Sequence, residues 1–204
     1  TYYIMIFVAH RINTVNELKM VPFKFGIEVD VTNYADKLVL AHDPFIEGEN
    51  FEFFIKNFKH RFIIINIKTE GIEYKILEIL KKLKIKKYFF LDCSFPMIFK
   101  LGNYKKKVNL AVRYSKYESI ETVLRVHNFC KWVWIDCFDK KIEFLKNKNL
   151  YLDKYHSCIV SPELHNRVDE IENYAIKLKS LNFVPKMICS KIDNYRIWKK
   201  YFPI

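Results

Sequence analysis

The sequence predicts an α/β fold, specifically a compact (β/α)8 TIM barrel built as one domain over residues 1–204. Three observations predict it. Short apolar strand-like runs alternate with amphipathic helical segments from one end of the chain to the other. At 204 residues the chain can bury one substantial core, and it sits below the roughly 250 residues usual for such a barrel. Only four glycines occur, with no glycine-rich phosphate loop among them, which argues against an open doubly wound sheet.

Each element follows from local pattern. Residues 4–10 read as the first strand, and 16–21 can form only a short helix; thin early helices account for the missing mass. Residues 25–31 are the second strand, with 38–42 a short extended piece soon after. Residues 62–68 form the third strand. The helix over 73–83 follows from apolar Ile72, Ile76, Ile79, Leu80 and Leu83 at helical spacing. The remaining strands are 88–93, 108–114, 132–138, 157–161 and 186–190, with helices over 119–129, 140–148 and 169–181. The aromatic, acidic stretch 45–58 reads either as a helix packing on the barrel or as a face for a lipid or glycan. No linker, repeat or low-complexity tract divides the chain.

Composition excludes several classes. Half the residues are hydrophobic and 17% aromatic, which argues against disorder. No apolar run approaches the roughly 18 residues needed to cross a bilayer, so a membrane is met at its surface if at all. The formal charge of +12 implies a general affinity for anions. Lysines concentrated at expected helix ends and turns, in a chain poor in Gly and rich in Lys, Ile and Asn, argue against a dedicated nucleic-acid function. Cys93, Cys130, Cys137, Cys158 and Cys189 are odd in number and form no CxxC pair. They read as small buried hydrophobes in a reducing compartment, making the cytoplasm the expected location. The oligomeric state is not legible.

The most informative local feature is Glu28 and Asp30 inside the apolar run Phe25-Gly26-Ile27-Glu28-Val29-Asp30-Val31. Strand alternation sends both carboxylates to one face, roughly 6–7 Å apart. Like charges on a buried face repel and are costly to desolvate, so a cation must compensate them, and carboxylate oxygens suit a hard divalent metal. Further polar groups recur at strand ends: His10-Arg11, His42-Asp43, Asn66 with Lys68, Asp92, Arg113, Asp136, Ser161 with Glu163, and Ser190. Catalytic groups of a barrel project from those ends. Two imidazoles, two carboxylates, an arginine and a lysine suit phosphoryl chemistry.

Ala9-His10-Arg11 with Asn13-Thr14 behind it, Gly26-Ile27-Glu28-Val29-Asp30-Val31-Thr32, and Leu38-Val39-Leu40-Ala41-His42-Asp43-Pro44 together resemble the opening signature of the glycerophosphodiester phosphodiesterases, within the phospholipase-C-like phosphodiesterase barrels. Ile67-Lys68 matches that family's third-strand motif, and Cys189-Ser190-Lys191-Ile192-Asp193 a degenerate last strand. The resemblance implies a phosphoric diester hydrolase of lipid metabolism acting on a small glycerophosphodiester. His10 and His42 would be the general acid/base pair. Glu28 and Asp30 would hold one divalent cation, Mg2+ or Ca2+, and Arg11 and Lys68 would bind phosphate oxygens. One departure stands out: the family's third acidic metal ligand corresponds here to Asn66, whose amide oxygen brings no charge. Asp92 is placed to restore it from the fourth strand. Arg113 is expected either to meet a second anionic group of the substrate or to pair with Asp92 or Asp136. Trp134 is expected to stack on a headgroup or to fill the core. Two alternatives stay open: a lipid- or glycan-directed phosphodiesterase or lyase on the same barrel, and a non-catalytic anion-binding barrel.

Overall fold

A computed structural model describes residues 4–104, 107–140, 142, 145 and 154–204. The chain is α/β with mostly parallel strand pairing, and it divides into two compact units: Ala9–Leu110, and Thr1–Val8 together with Ala111–Ile204. The first strand, β1 (Ile6–Ala9), is buried throughout, and its last residue opens the Ala9–Leu110 unit.

In Ala9–Leu110, the short helix α1 (Val15–Met20) begins at Thr14, whose side chain accepts the Glu17 N–H while Glu17 reaches back to the Thr14 N–H. Such a reciprocal cap contributes about 1 kcal/mol. Strands β2 (Gly26–Tyr34), β3 (Lys37–Leu40), β4 (Glu49–Asn50), β5 (Phe62–Ile67) and β6 (Tyr88–Leu91) pair in the order β4-β3-β2-β5-β6. β2, β5 and β6 are parallel, whereas β3 turns back antiparallel on β2 through Ala35, at φ 49. On their second face, Ile27, Val29, Ile63, Ile65 and Phe90 have no exposed surface. Each such side chain stabilises the fold by about 1.5–3 kcal/mol, which anchors a rigid platform under the polar face.

The stretch 45–58 resolves into helix α2 (Phe51–Lys56), capped by Asn50, with Phe51 and Phe54 fully buried and Phe53 exposed. Helix α3 (Glu73–Lys82) buries Ile76 and Leu80 as their spacing predicts. It ends on Lys84 at φ 57, with Ile85 N–H bonded to Leu80 O and Lys84 N–H to Lys81 O. That is the left-handed helix ending which glycine adopts most easily. Helix α4 (Phe95–Gly102) starts at Ser94, which caps Met97 N–H, with Pro96 in its first turn.

In the second unit, β7 (Ala111–Tyr114), β8 (Trp132–Ile135), β9 (His156–Val160) and β10 (Met187–Ser190) follow the order β1-β10-β9-β8-β7. Pairings from β7 to β10 are parallel. Helices α5 (Ile120–Arg125), α6 (Ile171–Ser180) and α7 (Tyr195–Tyr201) accompany them. Several predicted elements are shorter than their patterns suggested, among them the strands expected over 4–10, 88–93 and 108–114, which span Ile6–Ala9, Tyr88–Leu91 and Ala111–Tyr114. The strand expected over 132–138 stops at Ile135, because the Asp136 side chain and the Cys137 carbonyl turn to arginines and a histidine. The helix expected over 119–129 ends at Arg125, where the Val126 and Phe129 N–H groups close turns and the His127 ring bonds Leu124 O. The helix expected over 140–148 lies largely outside the described residues. All five cysteines are buried, and burial pushes the Cys130 and Cys137 thiols up to about 12, so both stay protonated and inert. No described helix is long and apolar enough to cross a membrane.

Candidate functional site

The alternation of β2 sends Glu28 and Asp30 to the same side, and both residues are 1% exposed. Parallel pairing sets Asp30 beside Asn66 of β5, so the amide shares the acidic face. Lys68, just past the strand, continues that face, its N–H bonded to Val31 O.

Each acid draws the loop after β1 toward it. Glu28 Oε2 accepts the backbone N–H of Arg11 at 2.8 Å and lies 3.8 Å from His10 Nε2. To present that N–H, Arg11 adopts φ 55, a left-handed backbone that a non-glycine residue holds at a cost of about 1–3 kcal/mol. Asp30 is gripped by Asn13: the Asn13 amide donates to Asp30 Oδ2 at 3.0 Å, and Asn13 Oδ1 accepts the Asp30 N–H at 2.9 Å. Lys68 Nζ stands 3.2 Å from Asp30 Oδ1 and Arg11 Nε 3.6 Å from Oδ2. The compensating cations of the pair in this structure are therefore side chains.

That compensation is incomplete. Desolvation above all, then the charge of Asp30, pushes the Glu28 carboxyl up to about 8, against the Arg11 N–H, an Asn66 hydrogen bond and the Lys68 charge. Asn66 is buried, and its Oδ1 has no hydrogen-bond partner. A buried, unpartnered acceptor beside two buried carboxylates forms an all-oxygen donor set, the kind a hard divalent cation takes. Among the described residues no three His, Cys, Asp or Glu side chains gather as a metal-holding group. Asp92 therefore does not restore the missing acid: it lies past the end of β6, exposed, on a backbone at φ 63.

His42 follows β3, next to Ala41, whose N–H bonds Asp30 O at 3.2 Å. Its Nδ1 lies 2.7 Å from Asp43 Oδ1. The hydrogen bond to His42 above all, with the charges of His42, Arg11 and Lys68 behind it, holds the Asp43 carboxyl below its usual value. An anionic Asp43 fixes the Nδ1–H tautomer and leaves Nε2 able to exchange a proton. Asn13 and Asp43, which the sequence motifs include without giving either a role, belong to the site. The signal available for Asn13 was its place three residues after His10, where a side chain with both donor and acceptor can satisfy a carboxylate and its own N–H together.

The other predicted site residues lie in the second unit. Arg113 donates to Asp136, whose other oxygen lies 3.2 Å from His165 Nε2. Of the two expectations for Arg113, pairing with Asp136 is the one found. Trp134 is 4% exposed, with the Arg113 guanidinium 6.0 Å from its ring centroid and its indole nitrogen without a hydrogen-bond partner. The His165 ring contacts Phe138 at 4.8 Å between centroids. Glu163 is buried and satisfied by Ser161, Ser190 and the Lys191 N–H, a bracing role within the unit.

No protein-family model matches the sequence, and no curated protein matches it. Solved structures do. A glycerophosphodiester phosphodiesterase from Parabacteroides distasonis superposes with a TM-score of 0.69 at 14% identity, covering 98% of this chain and 97% of its own. One from Agrobacterium tumefaciens gives 0.67 at 12% identity, over 95% of this chain and 99% of its own. A glycerophosphoryl diester phosphodiesterase, also from P. distasonis, gives 0.68 at 10% identity, over 98% and 88%. At such identities the likeness is one of fold, and it spans nearly the whole chain.

Proposed function

We propose that this protein is a phosphoric diester hydrolase acting on a glycerophosphodiester or a similar diester of a small alcohol, on the compact (β/α)8 barrel its motifs suggest. The observation that carries the reading is the buried Glu28/Asp30 pair, incompletely compensated, beside the unpartnered Asn66 oxygen. The fold shared with three glycerophosphodiester phosphodiesterases supports it.

In this reading Glu28, Asp30 and Asn66 would hold one divalent cation, magnesium or calcium, which when bound would supply positive charge against phosphate oxygens. Arg11 and Lys68, now beside Asp30, swing to the remaining phosphate oxygens. His42, held through Nδ1 by Asp43, presents Nε2 to a proton, and His10 is the second member of the pair. One imidazole takes the proton of the attacking hydroxyl, whether of water or of a neighbouring substrate alcohol. The other gives a proton to the departing alkoxide.

A second reading is favoured by one observation: Phe45, 93% exposed, and Ile46, 51% exposed, follow directly on His42-Asp43-Pro44. Two projecting apolar side chains beside a proton-transfer group suit a headgroup presented on a lipid surface. The test for both is a screen of glycerophosphodiesters and lysophospholipids with added Mg2+ or Ca2+, with His42→Ala as control. Turnover of a soluble diester that His42→Ala abolishes supports the first reading. Turnover confined to lipid aggregates and lost in Phe45→Ser supports the second. No metal-stimulated turnover of any diester overturns both.

A further inference from the structure

At the opposite end of the β5–β6 pair from Asn66 and Lys68, the same unit carries an open groove of about 1030 Å³. It runs along α3 from Tyr74 in the first turn to Lys84 past its end, and is closed by the turn into β6, by Tyr104 after α4 and by the segment before Leu110. Its position is fixed by strand direction: Tyr88, which lines it, is the first residue of β6, whereas Asn66 lies near the far end of β5. The groove is thus separate from the carboxylate site, and nothing proposed for that site uses it.

Two chemistries meet in its lining. Tyr74, Tyr88 and Tyr104 supply three phenol rings, and the Tyr74 and Tyr104 rings touch edge to face, their centroids 5.8 Å apart. An edge-to-face pair leaves ring faces uncovered, because only one face of one ring is occupied by the other's edge. Among the described residues, Lys81, Lys84, Lys86 and Lys107 line the same groove against one acid, Glu78. Tyr74 and Tyr104 are 38% and 48% exposed, so their rings are accessible to a ligand.

Four cations against one anion select a negatively charged occupant. The rings select a planar one, because aromatic faces stack on bases with little regard to sequence while lysines take phosphates. A bilayer meets convex tips, not a concavity, and an acidic peptide makes little use of the exposed Tyr74/Tyr104 ring pair, with Tyr88 buried behind it against Phe90. We propose that this groove binds a nucleotide, its base against the tyrosines and its phosphate among the lysines. Lys84 offers an unusually clean probe. It occupies a left-handed position at the end of α3, where glycine is at least as comfortable, so Lys84→Gly removes a charge without disturbing the helix ending.

The experiment is fluorescence anisotropy with N-methylanthraniloyl-ADP and with a labelled octathymidylate, at two salt concentrations. The wild type is expected to bind, with affinity falling as salt rises. Tyr104→Ala and Lys84→Gly are each expected to weaken binding on the order of five- to tenfold. Lys68→Ala, at the other end of the sheet, should bind like wild type, which separates this groove from any phosphate affinity of the carboxylate site. Octathymidylate displacing the ADP probe at tenfold lower concentration assigns the nucleotide to a strand; displacement only at equal or higher concentration assigns a free nucleotide. The proposal is overturned if neither probe binds, if both groove variants bind like wild type, if Lys68→Ala abolishes binding, or if inorganic phosphate or polyglutamate displaces the probe as well as ADP does.

Discussion

Two clusters of charge, one in each unit, look alike in the sequence and differ in how far their charges are satisfied. In the second unit Asp136 is held by Arg113 on one oxygen and by His165 on the other. In Ala9–Leu110, two carboxylates share one buried face, the Lys68 ammonium and the Arg11 guanidinium pair with Asp30, Glu28 is still pushed up to about 8, and a buried amide oxygen beside it has no partner. The first arrangement is complete as it stands and reads as structure. The second is short of positive charge and reads as a site whose missing component is a ligand. The lesson is that partial satisfaction, more than the presence of ionisable residues, separates a working cluster from a structural one.

The contrast breaks most visibly in activity. If the Ala9–Leu110 cluster does the chemistry, His10→Ala should lower diester turnover by a factor of about 10² to 10⁴. His165→Ala, in the completed cluster, should change it by less than about threefold. Comparable losses would mean that the two clusters do not divide in this way.

Metal affinity gives the next largest effect. Asn66→Glu restores a third carboxylate, and calorimetric titration of Mg2+ or Ca2+ should show affinity rising by about tenfold or more. Unchanged affinity would put residue 66 outside the ligand set.

Stability should move in opposite directions in the two clusters. In metal-free protein, Glu28→Gln keeps an oxygen for the Arg11 N–H and removes the cost of burying a carboxyl that must take up a proton to fold at neutral pH, raising stability by on the order of 1–3 kcal/mol. Asp136→Asn withdraws the charge that Arg113 and His165 share and should lower stability by a similar amount. Thermal melts of both variants check the signs, at roughly 2–4 °C per kcal/mol for a chain of this size.

The smallest effect is a control outside both clusters. His60 is buried, with Nε2 2.9 Å from Val21 O and its other ring nitrogen unpartnered. Burial lowers its pKa from 6.5. Between the lowered folded value and the unfolded value the unfolded chain binds more protons, so stability is present above about pH 6.5 and declines as pH falls below it. The urea midpoint should drop on acidification through that window, and His60→Gln should flatten the drop without changing diester turnover at neutral pH.

Much of this contrast was already legible in the residues, and what was not has physical causes. The strand alternation that put Glu28 and Asp30 on one face, and the helical spacing of Ile76 and Leu80, are local periodicities that tertiary packing preserved. Asn66 was identifiable because strand spacing sets it two residues before Lys68. The satisfaction of Asp136 was not decidable, because it depends on which of several acids Arg113 reaches once β7 and β8 are in register. Asn13 acts through a hydrogen-bond pair across 17 positions in sequence, so its place behind His10 marks it as a candidate without revealing its partner. The tyrosine and lysine groove escaped notice for the same reason: its lysines read as solvated turn residues until folding set them beside Tyr74, Tyr88 and Tyr104.

The central claim is that Glu28, Asp30 and Asn66 form a cation site completed by ligand, whereas the Asp136 cluster needs none. Titrating Ca2+ and Mg2+ into wild type, Glu28→Gln and Asp136→Asn by isothermal calorimetry tests it directly. One saturable site in the wild type, lost in Glu28→Gln and kept in Asp136→Asn, is the predicted result. A wild type that binds neither ion, or a site that survives Glu28→Gln, would contradict it.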